Sequence, residues 1–333
     1  MLTAMGHRIT IVGPGAVGVT LAGAFATSGA KVSLLGRPGS HLDAIAAQGL
    51  ALRHREAGTA HRHWFPTAHD PARLPYPDLI VLCVKGQHLP AAALAVRAWI
   101  AHGVDVLVVA GGVPWWLPST AGHAGQDAIL RTVDPEGRLL ELLPADRVMA
   151  GVAHFTSALD GPGQVTHASG TRLVVGEPTA RISDRVTRYT AALAAGPVHP
   201  EPSPDIRREI WEKLLGNINL NPVSALTGAT TVDILDTPEV RSLCVAMFEE
   251  TAAVGAALGI GTTMTADNRL ALTRELGPFR TSMLQDALRG RPLELDAIIG
   301  AVRELARSTS LPTPWLDAVH GLLELRERVR HHS

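Results

Sequence analysis

Near the start of the chain, Ile9-Thr10-Ile11-Val12 is a short β-rich run that passes directly into Gly13-Pro14-Gly15-Ala16-Val17-Gly18. Val19 to Ser28 then reads as a helix closed by Gly29, and Lys31 to Leu35 as a second strand. A bare GxGxxG says little, but between a strand and a helix, with another strand after it, the pattern predicts a doubly wound dinucleotide-binding fold. Its glycines let backbone approach a pyrophosphate, which then rests on the helix N-terminus.

The pattern of predicted elements changes once. Alternating strands and helices continue through Asp78–Lys85, Ala91–Ala101, Val104–Val109, Val148–Thr156, Gln164–His167, Arg172–Gly176, Arg181–Ala195 and Val198–Ser203, and Gly49–Pro66 suits a β-ribbon. After Pro204 only helices are predicted. A chain of 333 residues exceeds one typical core. We therefore expect a Rossmann domain over 1–203 and an all-α domain over 204–333.

Two cations are candidates to meet a phosphate or an anionic substrate. Asp or Glu usually ends the second strand where NAD is held, but here that strand ends Leu34-Leu35-Gly36-Arg37, with no acid before Asp43. A guanidinium at Arg37 would attract a 2′-phosphate, which favours NADPH; a solvated loop charge is the alternative. Lys85 follows the apolar run Leu79–Val84, at the strand end where α/β sheets bind anionic ligands.

Lys85 and Lys213 stand out because the chain has only one other lysine, Lys31. Lys213 lies in Trp211-Glu212-Lys213-Leu214-Leu215-Gly216-Asn217-Ile218-Asn219-Leu220-Asn221-Pro222, where a helix would align Lys213, Asn217 and Asn221 on one face. Hydride addition to a ketone builds alkoxide charge, which an ammonium stabilises and then quenches by proton transfer. Arginine, with a pKa above about 12, is a poor donor, so Lys213 is the candidate acid. The predicted helix, Asp205 to Leu226, should be interrupted near Pro222.

Together these motifs resemble the ketopantoate reductase (2-dehydropantoate 2-reductase) family. The resemblance spans nearly the whole chain: the Gly13–Gly18 fingerprint, Val84-Lys85, Val113-Pro114-Trp115-Trp116, Pro162-Gly163-Gln164-Val165, the Trp211-x-Lys213-x3-Asn217-x3-Asn221-Pro222 motif, and Ser282-Met283-Leu284-Gln285-Asp286 followed by Glu294. It implies an N-terminal Rossmann domain, a 6-phosphogluconate dehydrogenase C-terminal-like helical domain, NADPH, and reduction of 2-dehydropantoate to pantoate. Lys213 then matches the catalytic lysine, Asn217 and Asn221 the amides that orient substrate, Ser282 the contact to its carboxylate, Glu294 the acid that holds its hydroxyl, and Lys85 a lysine of the nucleotide domain. The family's usual Asn-Gly after the strand ending near Val109 is here Gly111-Gly112. Gly111 thus lacks the amide expected beside nicotinamide and substrate, which leaves the native ketone open.

Structural roles compete for several positions. Asn217 and Asn221 could pair within a core, Ser282 could cap a helix, and Glu294 could favour a helix N-terminus. Trp115 and Trp116 could wall a pocket or fill a core. A reductase of another 2-oxo acid and an NADPH-binding regulatory protein are the rival functions. A formal net charge of −1 supplies no field for nucleic acid or an anionic membrane, and no apolar run is long enough for a membrane span. Two cysteines without a CxxC, Cys83 and Cys244, suit buried thiols of a cytoplasmic protein. The histidines form no HExxH, His331-His332 belong to a tail, and no GxSxG is present, so neither a metal centre nor a hydrolase is expected. The expected partner is a small 2-oxo acid, and a homodimer is compatible with the sequence.

Overall fold

The computed structural model describes residues 6–194 and 196–330. The expected end of one helix at Ala195 and the His331-His332 tail lie outside the described residues. Contacts divide the chain into two compact units, residues to 110 with 138–206, and 111–137 with 207 onward. The sequence suggested one cut at 203/204; the structure gives the intervening segment 111–137 to the helices. Hydrogen bonds explain the grouping. Val113 N–H donates to the Ala297 carbonyl at 2.7 Å, and the backbone N–H groups of Arg131 and Thr132 donate to Glu304 at 2.8 and 2.7 Å.

Among the described residues of the first unit, ten strands form one sheet: β1 (Arg8–Val12), β2 (Lys31–Leu35), β3 (Leu50–His54), β4 (Thr59–His63), β5 (Thr67–Ala68), β6 (Leu79–Leu82), β7 (Asp105–Val108), β8 (Met149–Gly161), β9 (Gln164–Gly176) and β10 (His199–Ser203). Their order is β4-β3-β9-β8-β7-β6-β1-β2-β5, with β10 also on β9. From β5 to β8 every pairing is parallel. These central strands are buried on both faces, which is why Leu79-Ile80-Val81-Leu82 is uninterruptedly apolar. Because β1 lies between β2 and β6, the turns leaving all three strands emerge on the same carboxyl edge.

Two expectations need adjustment here. Gln164–His167 and Arg172–Gly176 are one long strand, paired antiparallel to β8 through register shifts, with Gly170 at φ +73°. Its first half pairs with β3 and its second with β10, so partners on both sides sustain a strand whose own middle is polar. The helix expected over Ala91–Ala101 is two short helices, Leu89–Ala95 and Arg97–Ala101, meeting at Val96.

Among the described residues the second unit contains helices Leu117–Thr120, Ile206–Asn217, Leu220–Thr227, Thr231–Asp236, Pro238–Ala257, Ala266–Glu275, Ser282–Leu288, Ala301–Ser308 and Pro314–Arg330; a π-helical turn, Asp296–Gly300, directly precedes Ala301–Ser308. The expected break near Pro222 falls earlier, at Ile218-Asn219. Proline cannot donate and crowds the carbonyl four residues back, so the chain restarts its helix where Pro222 falls in the first turn, whose N–H groups need no helical acceptor. Asn219 makes the restart, accepting from Leu220 N–H at 2.7 Å and donating to the Cys244 carbonyl at 3.4 Å.

Candidate active site

On the sheet unit, Gly13 leaves β1 at φ +92° and donates its N–H to the Leu35 carbonyl at 2.9 Å. A side chain at Gly13 would strike Cys83 and Val84, and one at Gly18 would strike the Gly13 carbonyl. The turn is therefore held against both neighbouring strands. Gly15 is exposed, with open space beside it, and stands at the N-terminus of the helix Ala16–Thr27. That terminus has neither a side-chain cap nor an acid in its first turn. Pro14 packs where a side chain at Gly36 would be, and Ala16 and Val17 supply the first helical N–H groups. Residues of this kind fit a pyrophosphate, since backbone donors converge and nothing negative competes.

Arg37 is exposed just beyond β2. Lys85 lies three residues past the end of β6 rather than on it, where the chain turns into Gly86–His88. His88 reveals their proximity: its pKa is lowered by burial first, and then by the charges of Arg37 and Lys85. Three basic side chains thus share one neighbourhood on the carboxyl edge. Sequence inspection missed His88, although it lies only three residues beyond Lys85.

On the helical unit, Lys213 and Asn217 occupy the same flank of the helix Ile206–Asn217, one turn apart. Asn221 belongs to the following helix, so the three-residue row spans two helices instead of one. Lys213 and Asn217 are partly buried, Asn221 fully. Burial lowers the Lys213 pKa from 10.5 to about 8, against the opposing pull of the Glu294 carboxylate. Glu294 stands at the start of the helical run from Leu295 to Ser308, whose first turns are π-helical, and its carbonyl accepts from Ile298 N–H at 3.2 Å. π-Turns in helices are frequent at functional sites.

Ser282 is exposed at the first position of its helix, but Thr281 is the cap, accepting from Leu284 N–H at 3.2 Å. The alternative of Ser282 as an N-cap is thereby corrected, and its hydroxyl is not used in that way. Gly111 is exposed, and a side chain there would meet nothing within 4 Å. Crowding therefore does not explain the missing amide. Gly112, at φ +81°, is the constrained neighbour, pressed on the Ala297 carbonyl. Trp115 and Trp116 are fully buried core residues. Among the described residues, no group of three or more His, Cys, Asp or Glu is arranged to hold a metal.

A glycine turn between a parallel strand and a helix N-terminus defines a dinucleotide-binding fold. Comparison with known proteins gives the particular family. Residues 9–180 match the model "Ketopantoate reductase PanE/ApbA" and residues 205–327 the model "Ketopantoate reductase PanE/ApbA C terminal". The chain belongs to the ketopantoate reductase family. It is 36% identical to a 2-dehydropantoate 2-reductase of Mesorhizobium japonicum, over 95% of this chain and 96% of the relative. It is 27% identical to one of Halobacterium salinarum, over 96% and 99%. Among solved structures, 2-dehydropantoate 2-reductase from Methylococcus capsulatus superposes with a TM-score of 0.82 at 26% identity, covering 97% of each chain.

Proposed function

We propose that the protein reduces 2-dehydropantoate to pantoate with NADPH. The observation that carries this reading is the partly buried Lys213, whose pKa of about 8 leaves it protonated at neutral pH yet a better acid than an ordinary lysine. The relatives named 2-dehydropantoate 2-reductase support the substrate. Bound NADPH would supply the hydride. Gly13, Pro14, Gly15, Ala16, Val17 and Gly18 would hold its pyrophosphate, Arg37 its 2′-phosphate, and Lys85 a further anionic group, with Gly111 near the nicotinamide. In this reading the sheet unit carries most of the nucleotide contacts and the helical unit the substrate contacts, together with Gly111.

Lys213 Nζ would hold its proton beside the ketone oxygen and deliver it as alkoxide charge develops. Asn217 and Asn221 would donate amide N–H groups to the substrate, and Ser282 its hydroxyl to the carboxylate. Glu294 would accept from the substrate hydroxyl while keeping Lys213 charged. We place the enzyme in the cytoplasm. We also propose a homodimer, supported by the exposed apolar residues Trp315, Leu322, Leu325 and Val329 on the last helix.

The test is NADPH oxidation with 2-dehydropantoate by wild type and Lys213→Ala. Turnover should fall by several orders of magnitude while NADPH binding persists. Full turnover by the Ala variant would refute the proton-donor role, and an inert wild type that binds NADPH would favour a regulatory protein.

A further inference from the structure

Arg269 lies on the helix Ala266–Glu275 and presses its guanidinium onto Gly216. A methyl group at Gly216 would overlap Nη2, Nε and Cζ together, so the guanidinium packs directly against the backbone there. Only glycine permits that approach. Gly216 is three residues after Lys213 and one before Asn217, about 4.5 Å along the helix from Lys213 and about 60° around it.

The guanidinium has no hydrogen-bond or ion-pair partner among the described residues, and its Nε is buried without an acceptor. Burial lowers its pKa, and no carboxylate opposes the effect. Nearby arginines are differently placed. Arg274, on the same helix, pairs with Asp236; Arg241 pairs with Asp267 at 2.5 Å; and Arg208 pairs with Glu212 at 2.9 Å. All three are more exposed than Arg269, whose Nε has lost its water as well. A desolvated cation without a counter-charge is expensive, and such a group persists most readily where an external anion completes it.

We infer that Arg269 is a carboxylate-binding, specificity-determining residue that engages the acid group of the 2-oxo acid substrate. A 2-oxo acid carries its carboxylate on the carbon next to the ketone. A substrate whose ketone oxygen reaches Lys213 therefore presents its carboxylate within about one helical turn, and the fork of Arg269 offers two parallel donors to it. The inference rests on the proposed reductase reading and deepens it. Ser282 would supply a neutral hydroxyl to the same group, and Arg269 the charge.

The experiment compares a 2-oxo acid with its primary amide, using wild type, Arg269→Gln and Arg269→Lys, with steady-state kinetics and NADPH titration. Arg269→Gln should raise KM for the acid about 10- to 100-fold. KM for the amide and NADPH affinity should stay within about twofold. Arg269→Lys should recover part of the loss. Gly216→Ala, which displaces the guanidinium while retaining it, should reproduce the selective rise. Equal losses for acid and amide, or an unchanged KM for the acid, would overturn the inference while leaving the reductase reading intact. Wild type without turnover of any 2-oxo acid would refute the reading on which it rests.

Discussion

Glu294→Gln provides the most direct test of how the proposed acid is tuned. The Lys213 pKa of about 8 combines a burial penalty with the opposing influence of Glu294. Glutamine keeps the shape and removes the charge, so burial acts alone and the pKa falls. A neighbouring opposite charge commonly contributes about one to three units; taking about one, the variant titrates near pH 7. At pH 7.5 the protonated fraction then drops from about three quarters to about one quarter, whereas at pH 6 it stays above about nine tenths in both proteins. A lost contact to the substrate hydroxyl would lower the rate equally at every pH, so the ratio of rates isolates the titration. The ratio of kcat/KM at pH 6 to that at pH 7.5 should rise from about 1.3 to about 4. Initial rates followed by reduced-nicotinamide absorbance give both values. An alkaline limb at the same pH in both proteins, or one moved upward, would refute the reasoning.

Three further outcomes are expected. Arg37→Asp should raise KM for NADPH at least tenfold and leave that for NADH nearly unchanged, in steady-state assays with each cofactor; equal changes would remove Arg37 from 2′-phosphate recognition. Gly255→Ala should destabilise the protein by about 1–3 kcal/mol in urea unfolding, because its methyl would overlap the buried Trp211 indole. His54, whose Nδ1 lies 3.0 Å from that of His167, should make stability acid-sensitive. The His54 pKa lies below its ordinary 6.5 because of burial first, then His167, His61 and His63. The folded protein therefore resists a proton that the unfolded chain accepts, and stability present above about pH 6.5 is lost as the pH falls below it. His54→Asn should flatten melting temperature against pH between about 7.5 and 5.5, and an unchanged slope would refute this.

Much of the architecture was legible because its signals are local. Ile9–Gly29 announces strand, turn and helix within one stretch, and the structure follows it closely. The single strand β9 was not, since the polar stretch around Ser169-Gly170 conceals it and only the neighbours β8, β3 and β10 reveal continuity. Pro222 announced a break but not its place, because the clash acts on the preceding turn. Lys213 stood out by rarity, whereas Arg269 could not. Arginine is common here, and its meeting with Gly216 joins positions 53 residues apart in sequence. No spacing rule encodes that encounter. His88 was closer to legible, but its meaning depends on Arg37 reaching it from another strand.

The interruption at Ile218-Asn219 has a mechanical consequence. Lys213 and Asn217 ride on one rigid rod and Asn221 on the next, joined by a short hinge that Asn219 fastens to the Cys244 carbonyl. A small rotation there would re-aim Asn221 relative to Lys213. Substitutions around Cys244 and Asn219 would therefore refit the proposed substrate contacts to a ketone of different girth while the proposed acid stays where it is.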